Sequence, residues 1–386
     1  MSRLILCASQ SENKTPYIFR LTGVRVFSIE EAIYHVYENW KQTIEDIKSA
    51  EFVVWIKETL GLAAIAEKMK SIAEQSKLSD CVVNFLRLTD FYTGAEISAV
   101  IRDLDAWEKR LDWERLKERG DYLMQKSAPE KALVFYKNAM RYGSRAELLN
   151  NMAVAFMRMG RFTEAVTLLR EALTNDPDNS DLILNYAEAC AYADDVNEAS
   201  RVINLAKAHP NKLASIKGEI FLREGNMSEA RTQFVRAATD GTIESILRLV
   251  DFYIGESDYT KAEAALNRIS AFNNTRVSVK RAELLAEQKR YGEAISLLEY
   301  ALASHPSSID LWLCLSEASR LSGDVSRAME AAGQAVELEP SSPRASLEMI
   351  KVRRAANQSR EYLRELQSLI LSLKDKYRDA LNDSAG

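Results

Sequence analysis

Alanine returns through the middle of this chain at a nearly constant interval. It stands at Ala132, Ala165, Ala199, Ala230, Ala262, Ala294 and Ala328, with gaps of 33, 34, 31, 32, 32 and 34 residues. Seven residues after each comes Ala139, Ala172, Ala206, Ala237, Ile269, Ala301 and Ala335. Four residues after each comes Tyr136, Leu169, Ile203, Phe234, Leu266, Leu298 and Ala332, nearly all large and apolar. A helical bundle has no reason to keep such a phase over seven turns of the pattern. A fixed period in this range marks a repeat array, in which each unit packs only on its neighbours.

The flanking positions say what each unit is. Twelve residues before each first alanine stand Gly120, Ala153, Ala187, Gly218, Val250, Ala282 and Ser316, mostly small. Five residues before it stand Ser127, Gly160, Asp194, Gly225, Ser257, Lys289 and Gly323, mostly turn formers. Pro177, Pro306 and Pro340 close their units. Each unit therefore reads as two antiparallel helices around a tight turn. Small residues mark where backbones approach, and the large residue fills the gap beside the alanine. Only seven prolines and fourteen glycines occur in 386 residues, so helix breakers are scarce and the chain reads as all-α.

This pattern, from about Trp113 to Ser342, resembles the tetratricopeptide repeat (TPR). The resemblance implies an all-α TPR solenoid, a right-handed superhelix of antiparallel helix pairs. It implies seven units over 113–342, starting near 113, 146, 180, 211, 243, 275 and 309. Residues 1–112 do not follow the period. Tyr17–Arg20 and Val24–Phe27 are β-prone around a Thr22-Gly23 turn, which predicts a small hairpin. Ser28-Ile-Glu-Glu31 reads as a capping box, opening a helix with Ile33, Val36, Tyr37 and Trp40 on one face. Further helices are expected near 50–60, 62–76, 78–92 and 95–111. This mostly helical module is expected to dock a partner or to cap the first repeat. After residue 343 the sequence predicts C-terminal capping helices, with Leu366, Leu369, Ile370 and Leu373 at helical spacing, and a frayed tail.

Catalytic chemistry finds little to work with. The three histidines are His35, His209 and His305. His209 and His305 precede prolines at the ends of second helices, where they suit the helix dipole, and His35 is expected on the surface. Neither a phosphate-cradling G-x-x-x-x-G-K-[ST] nor a G-x-G-x-x-G is present. The cysteines Cys7, Cys81, Cys190 and Cys314 are scattered, which excludes a zinc pattern and suits a reducing compartment. No catalytic residue, metal or cofactor is expected. A net charge of −5 argues against nucleic acid, and no apolar run reaches the ~18 residues of a membrane helix. The opening MSRLILCASQ holds an apolar run of about five residues, too short for a signal-peptide core. The expected location is the cytoplasm.

What remains is binding. In stacked helix pairs the first helices line the concave side. The inward positions there point to a protein- or peptide-binding groove of Lys117, Asn150, Asn151, Arg158, Asn185, Tyr192, Arg223, Arg248, Arg276 and Lys280. Asp121, Glu188, Lys212, Asp251, Glu317 and Arg320 stand beside them. Asparagine amides can donate to and accept from a peptide backbone at once, and arginines suit carboxylates. Some TPR proteins hold a chaperone's C-terminal carboxylate in a clamp of basic residues and asparagines. Lys117 and Asn151 match two of its five positions, but Asp121, Asp181 and Asn185 replace the others, so that clamp is not expected. The leading expectation is a non-catalytic scaffold or adaptor. The alternative is a bacterial peptide-sensing regulator acting through the N-terminal module.

Overall fold

The computed structural model describes residues 15–74, 77–89, 91–126, 128–207, 210–269, 274–340, 342–356, 364 and 367–371. Contacts divide the chain at Asp195 and Val196 into two compact units.

The first unit opens with a two-stranded antiparallel hairpin, β1 (Tyr17–Ile18) and β2 (Arg25–Val26), Tyr17 facing Val26. Gly23 turns it at φ +69°. Then come α1 (Ile29–Ile47), α2 (Ala50–Val54), a π-helical turn at Trp55–Thr59, α3 (Ala63–Ala73), α4 (Leu78–Leu86) and α5 (Gly94–Glu108). The Ser28 hydroxyl accepts from Glu31 N, while the Glu31 carboxylate takes the Phe27 N–H, one residue further back than a capping box would reach. Helix α1 bends at Asn39, whose amide donates to the His35 carbonyl. A continuous apolar core of Phe19, Ile33, Ile44, Phe52, Ile56, Phe85 and Leu104 joins hairpin and helices. The carboxylate of Asp46, 1% exposed, anchors the hairpin by accepting from the Tyr17 hydroxyl at 2.8 Å and from Arg20 N at 3.2 Å.

His35 is not on the surface. It is buried against the Phe19 ring at 4.7 Å, and its Nε2 lies 2.8 Å from the Thr22 hydroxyl. Burial drives its pKa down to about 4, so the imidazole is neutral at pH 7. The sequence reading missed this because a histidine on an amphipathic helix gives no hint that a hairpin folds over it.

Helix pairs follow. They are α6 (Asp112–Gln125) with α7 (Pro129–Met140), then α8 (Ala146–Arg158) with α9 (Phe162–Asn175), then α10 (Ser180–Tyr192). The second unit contains α11 (Val196–Val202), α12 (Pro210–Arg223), α13 (Met227–Ala237), α14 (Ile243–Gly255) and α15 (Tyr259–Leu266). It continues with α16 (Thr275–Glu287), α17 (Tyr291–Ser304), α18 (Ile309–Ser322), α19 (Val325–Leu338) and α20 (Pro343–Ala355). Within each unit successive helices pack side by side, and α14 meets α16, α16 meets α18, and α18 meets α20.

The periodic alanines are the contact points. Ala132, Ala165, Ala199, Ala230, Ala262, Ala294 and Ala328 are all 0% exposed, so no water-facing alternative survives. The small residue of the first helix is matched to the large residue of the second, sixteen residues on. A Cβ added to Gly120 would overlap the Tyr136 ring, with Cδ1 at 2.7 Å and Cζ at 2.8 Å. One added to Gly218 would meet Phe234 Cδ1 at 2.8 Å. Where alanine replaces glycine, at Ala153 and Ala282, the partner shrinks to Leu169 and Leu298. Where serine stands, at Ser316, it shrinks to Ala332, and the Ser316 hydroxyl donates to the Ala328 carbonyl at 3.0 Å. In these pairs a smaller residue on one helix goes with a larger one on the other, although Val250 is followed sixteen residues on by Leu266.

The turn position five residues before each first alanine is left-handed at every described occurrence. Gly160, Gly225 and Gly323 adopt φ +73°, +79° and +90° there. Asp194, Ser257 and Lys289 hold φ +62°, +58° and +60° despite carrying side chains. Left-handed backbone costs roughly 1–2 kcal/mol for a residue other than glycine, least for Asp and Asn.

Two second helices are short: α15 has eight residues, and α11 departs further. Helix α11 runs seven residues into a 3-10 turn at Ile203–Leu205, and Ala206 lies beyond it, extended and half-buried. The interval from Ala199 to Ala230 is the shortest of the series at 31 residues, and Pro210 already begins α12. The second helix loses its last turn to that shortening. At the other end, Ser342 caps α20 by accepting from Ala345 N, and Pro343 occupies the first turn. His209, Cys7, Leu366 and Leu373 lie outside the described residues, whereas His305 stands at the end of α17.

Candidate functional site

Every groove residue expected from the sequence lies on a first helix. Lys117 is on α6, Asn150, Asn151 and Arg158 on α8, Asn185 and Tyr192 on α10, Arg223 on α12, Arg248 on α14, and Arg276 and Lys280 on α16. What the sequence did not disclose is how thoroughly these side chains engage one another.

In the first unit a polar ladder crosses three first helices. Asp121 of α6 accepts from the Tyr136 hydroxyl at 2.8 Å and from Asn151 Nδ2 of α8 at 2.9 Å. Lys117 pairs with Asp121 at 2.8 Å and with Glu147 of α8 at 2.9 Å. Burial opposes the Lys117 charge, but the two carboxylates outweigh it and hold its pKa above the ordinary lysine value. Asn185 Nδ2 of α10 then donates to Asn150 Oδ1 of α8 at 2.7 Å. Arg158 turns back to the Met124 carbonyl at 2.6 Å. Tyr192 stacks on Phe162, ring centroids 4.8 Å apart.

The second unit repeats the device with charges. Glu244 of α14 takes Arg248 of its own helix at 3.5 Å and Arg276 of α16 at 2.8 Å. Burial would raise the Glu244 pKa, but the two guanidiniums overcome it and the net shift is downward. Lys280 of α16 reaches Asp251 of α14 at 2.6 Å and Glu283 at 2.5 Å, so its ammonium, though desolvated, is held above the usual range. Arg223 pairs with Glu219 at 2.9 Å. The ladder runs on to α20. Asp310 meets Arg344 at 2.8 Å, and Glu348, 6% exposed, lies 3.4 Å from the Ser316 hydroxyl and 3.2 Å from Arg320 Nε.

These cations are therefore neutralised within the protein. The counter-ions Glu147, Glu244 and Glu283 were not singled out from the sequence. The signal was present as opposite charges about one repeat apart, such as Lys117 with Glu147 and Glu244 with Arg276. It becomes readable only once the stacking of first helices is known. Beside the Lys117–Asp121–Glu147 cluster of the first unit lies an uncharged patch. Asn150, Asn151 and Asn185 are half-buried, and Asn150 Nδ2, Asn151 Oδ1 and Asn185 Oδ1 hold no protein partner among the described residues. Among the same residues no group of three or more His, Cys, Asp or Glu is placed to hold a metal ion.

A family profile described as tetratricopeptide repeat matches residues 156–220 and 285–347, and a second profile of the same description matches 247–309. The chain is a tetratricopeptide-repeat protein. Yeast Tom70 shares the TPR fold at 15% identity, with a TM-score of 0.53 over 86% of this chain and 81% of its own. A TPR protein from Parabacteroides merdae ATCC 43184 aligns at 17% identity over 62% of this chain and 98% of its own, with a TM-score of 0.42. MamA from Desulfovibrio magneticus RS-1 aligns at 18% identity over 44% of this chain and 98% of its own, with a TM-score of 0.34. At such identities the likeness concerns the fold alone. No curated protein matches the sequence. Among the described residues no helix of this TPR protein is long and apolar enough to cross a membrane.

Proposed function

We propose that this chain is a non-catalytic interaction scaffold whose first helices hold an extended protein or peptide segment. The observation that carries the reading is the half-buried asparagine patch of Asn150, Asn151 and Asn185 on α8 and α10 of the first unit. Its free amide donor and carbonyl acceptors match the alternating groups of a peptide backbone. Because Lys117, Arg248, Arg276 and Lys280 are already paired, the patch reads backbone amides more than ligand carboxylates. With a net charge of −5 and neutralised first-helix cations, a protein partner fits better than nucleic acid. Residues 113–342 would act as the seven-repeat array, 1–112 as a docking or capping module and 343–386 as the C-terminal cap.

The full chain screened against an array of extended peptides tests this reading. A peptide selected there should bind N150A/N151A/N185A about 10- to 2,000-fold more weakly, as three amide contacts at about 0.5–1.5 kcal/mol each imply. Equal affinity for the triple variant, or an array without a binder, would refute it.

A further inference from the structure

The first unit contains a second polar site, away from the asparagine patch. Helices α1, α5 and α6 and Tyr142 surround a pocket of about 310 Å³. Its floor is Trp107, 3% exposed, whose indole N–H is fixed on Glu118 Oε2 at 3.1 Å. Two guanidiniums lie over that indole, Arg115 at 5.3 Å and Arg119 at 5.9 Å, and Arg119 also lies 6.0 Å from the Phe135 ring. Such stacking holds guanidinium planes in place before any ligand arrives.

The burial of these charges is unequal. The Arg119 side chain is 12% exposed and its carboxylate partner Glu45 is 66% exposed. The Arg115 side chain is 24% exposed and its partner Asp112 is 50% exposed. Both cations thus sit inside while both anions sit at the rim. Each recorded ion pair engages one carboxylate oxygen with one guanidinium nitrogen, and Arg119 Nε is buried without a hydrogen-bond partner. Because Glu45 and Asp112 are at least half exposed, an incoming carboxylate can replace either of them without leaving its guanidinium unpaired. Arg115 and Arg119 are one helical turn apart, roughly 6 Å between side-chain roots, which calls for two spaced carboxylates more than for a single phosphate. Ile44, Leu116 and a third cation, Lys48, complete the lining, and Tyr142, 54% exposed, offers an aromatic face. The volume is at the small end of ligand pockets, enough for one or two side chains and too small for a large cofactor.

We propose that this pocket is a second binding site, which takes an acidic peptide segment: two carboxylates on Arg115 and Arg119 with an apolar side chain between them against Tyr142 and Leu116. This goes beyond the scaffold reading and uses none of the asparagine patch.

Isothermal titration of the full chain with acetyl-Asp-Glu-Phe-Glu-Glu-amide at low salt tests it. Binding at or below millimolar concentration is expected, weakening at least tenfold in Arg115→Gln and Arg119→Gln. Glu45→Gln, which removes a competing rim carboxylate, should tighten binding two- to fivefold; a merely structural ion pair would not do so. Circular dichroism confirms that each variant is folded. No binding at 1 mM peptide overturns the proposal, as does equal binding of a peptide with Gln and Asn in place of the acids. Competition by inorganic phosphate as effective as the peptide would reassign the pocket to phosphate. Loss of binding in N150A/N151A/N185A with retention in Arg115→Gln would assign the peptide to the asparagine patch and sink this proposal alone.

Discussion

Gly120→Ala isolates the volume trade on which the repeat stacking rests. In an ordinary helix interior this change stabilises by about 0.5–1 kcal/mol, because glycine loses more backbone freedom on folding. Here the new methyl would lie within 2.7–2.8 Å of Cδ1 and Cζ of the Tyr136 ring. That ring is 1% exposed and its hydroxyl is tied to Asp121 at 2.8 Å, so it has no vacant rotamer to enter. Overpacking of this kind costs about 1–3 kcal/mol, and displacing the hydroxyl forfeits about 0.5–1.5 kcal/mol of hydrogen bond. The expected net loss is about 0.5–4 kcal/mol. Adding Tyr136→Leu recreates the Ala–Leu pairing of Ala153 with Leu169. The double variant should therefore be less destabilised than the two single changes summed, by at least about 1 kcal/mol of coupling. Urea unfolding of the full chain followed at 222 nm gives the free energies. Hydrogen exchange across 112–140 localises the effect, which matters because repeat arrays do not always unfold in one step. A Gly120→Ala protein as stable as the parent, or a coupling near zero, would show that the backbones can move apart and that the size match is incidental.

Further outcomes follow from other sites. Lys289→Gly should raise stability by about 0.5–1 kcal/mol by relieving the left-handed backbone at φ +60°, and an unchanged urea midpoint would refute it. His35 has its folded pKa depressed to about 4 from a usual 6.5, so the unfolded chain binds more protons between these values. Stability should therefore be intact above pH 6.5 and fall on acidification, by on the order of 1 kcal/mol from pH 7 to 5.5. His35→Gln should flatten that slope, and a parallel slope would assign it to other groups. Glu348→Ala should cost about 1–2 kcal/mol by removing the buried carboxylate that ties α20 to Arg320 of α18, with faster hydrogen exchange in α20 than in α14 as the readout. Uniform exchange in both would contradict the end-on role of Glu348.

The fold class was legible because its cause is local. A small residue at one position and a large one sixteen later recur in most units, so the demand repeats in the letters. The groove was legible only as residue types. Lys117 and Lys280 read as ligands for a guest because their partners, Glu147 and Asp251, are about thirty residues away and adjacent only once first helices stack. His35 was misread since its cover, Phe19 and Thr22, belongs to a hairpin whose docking no periodicity announces.

The matched pairs Gly120–Tyr136 and Gly218–Phe234 each lie inside one repeat. A whole repeat carries both halves of its own lock, so duplication or loss of complete units leaves every lock closed. Exchange of a single helix between repeats would set an alanine under a tyrosine, or a glycine under a leucine. The heritable module of this protein is accordingly the helix pair, and variation in its length over time should come in steps of about thirty-three residues.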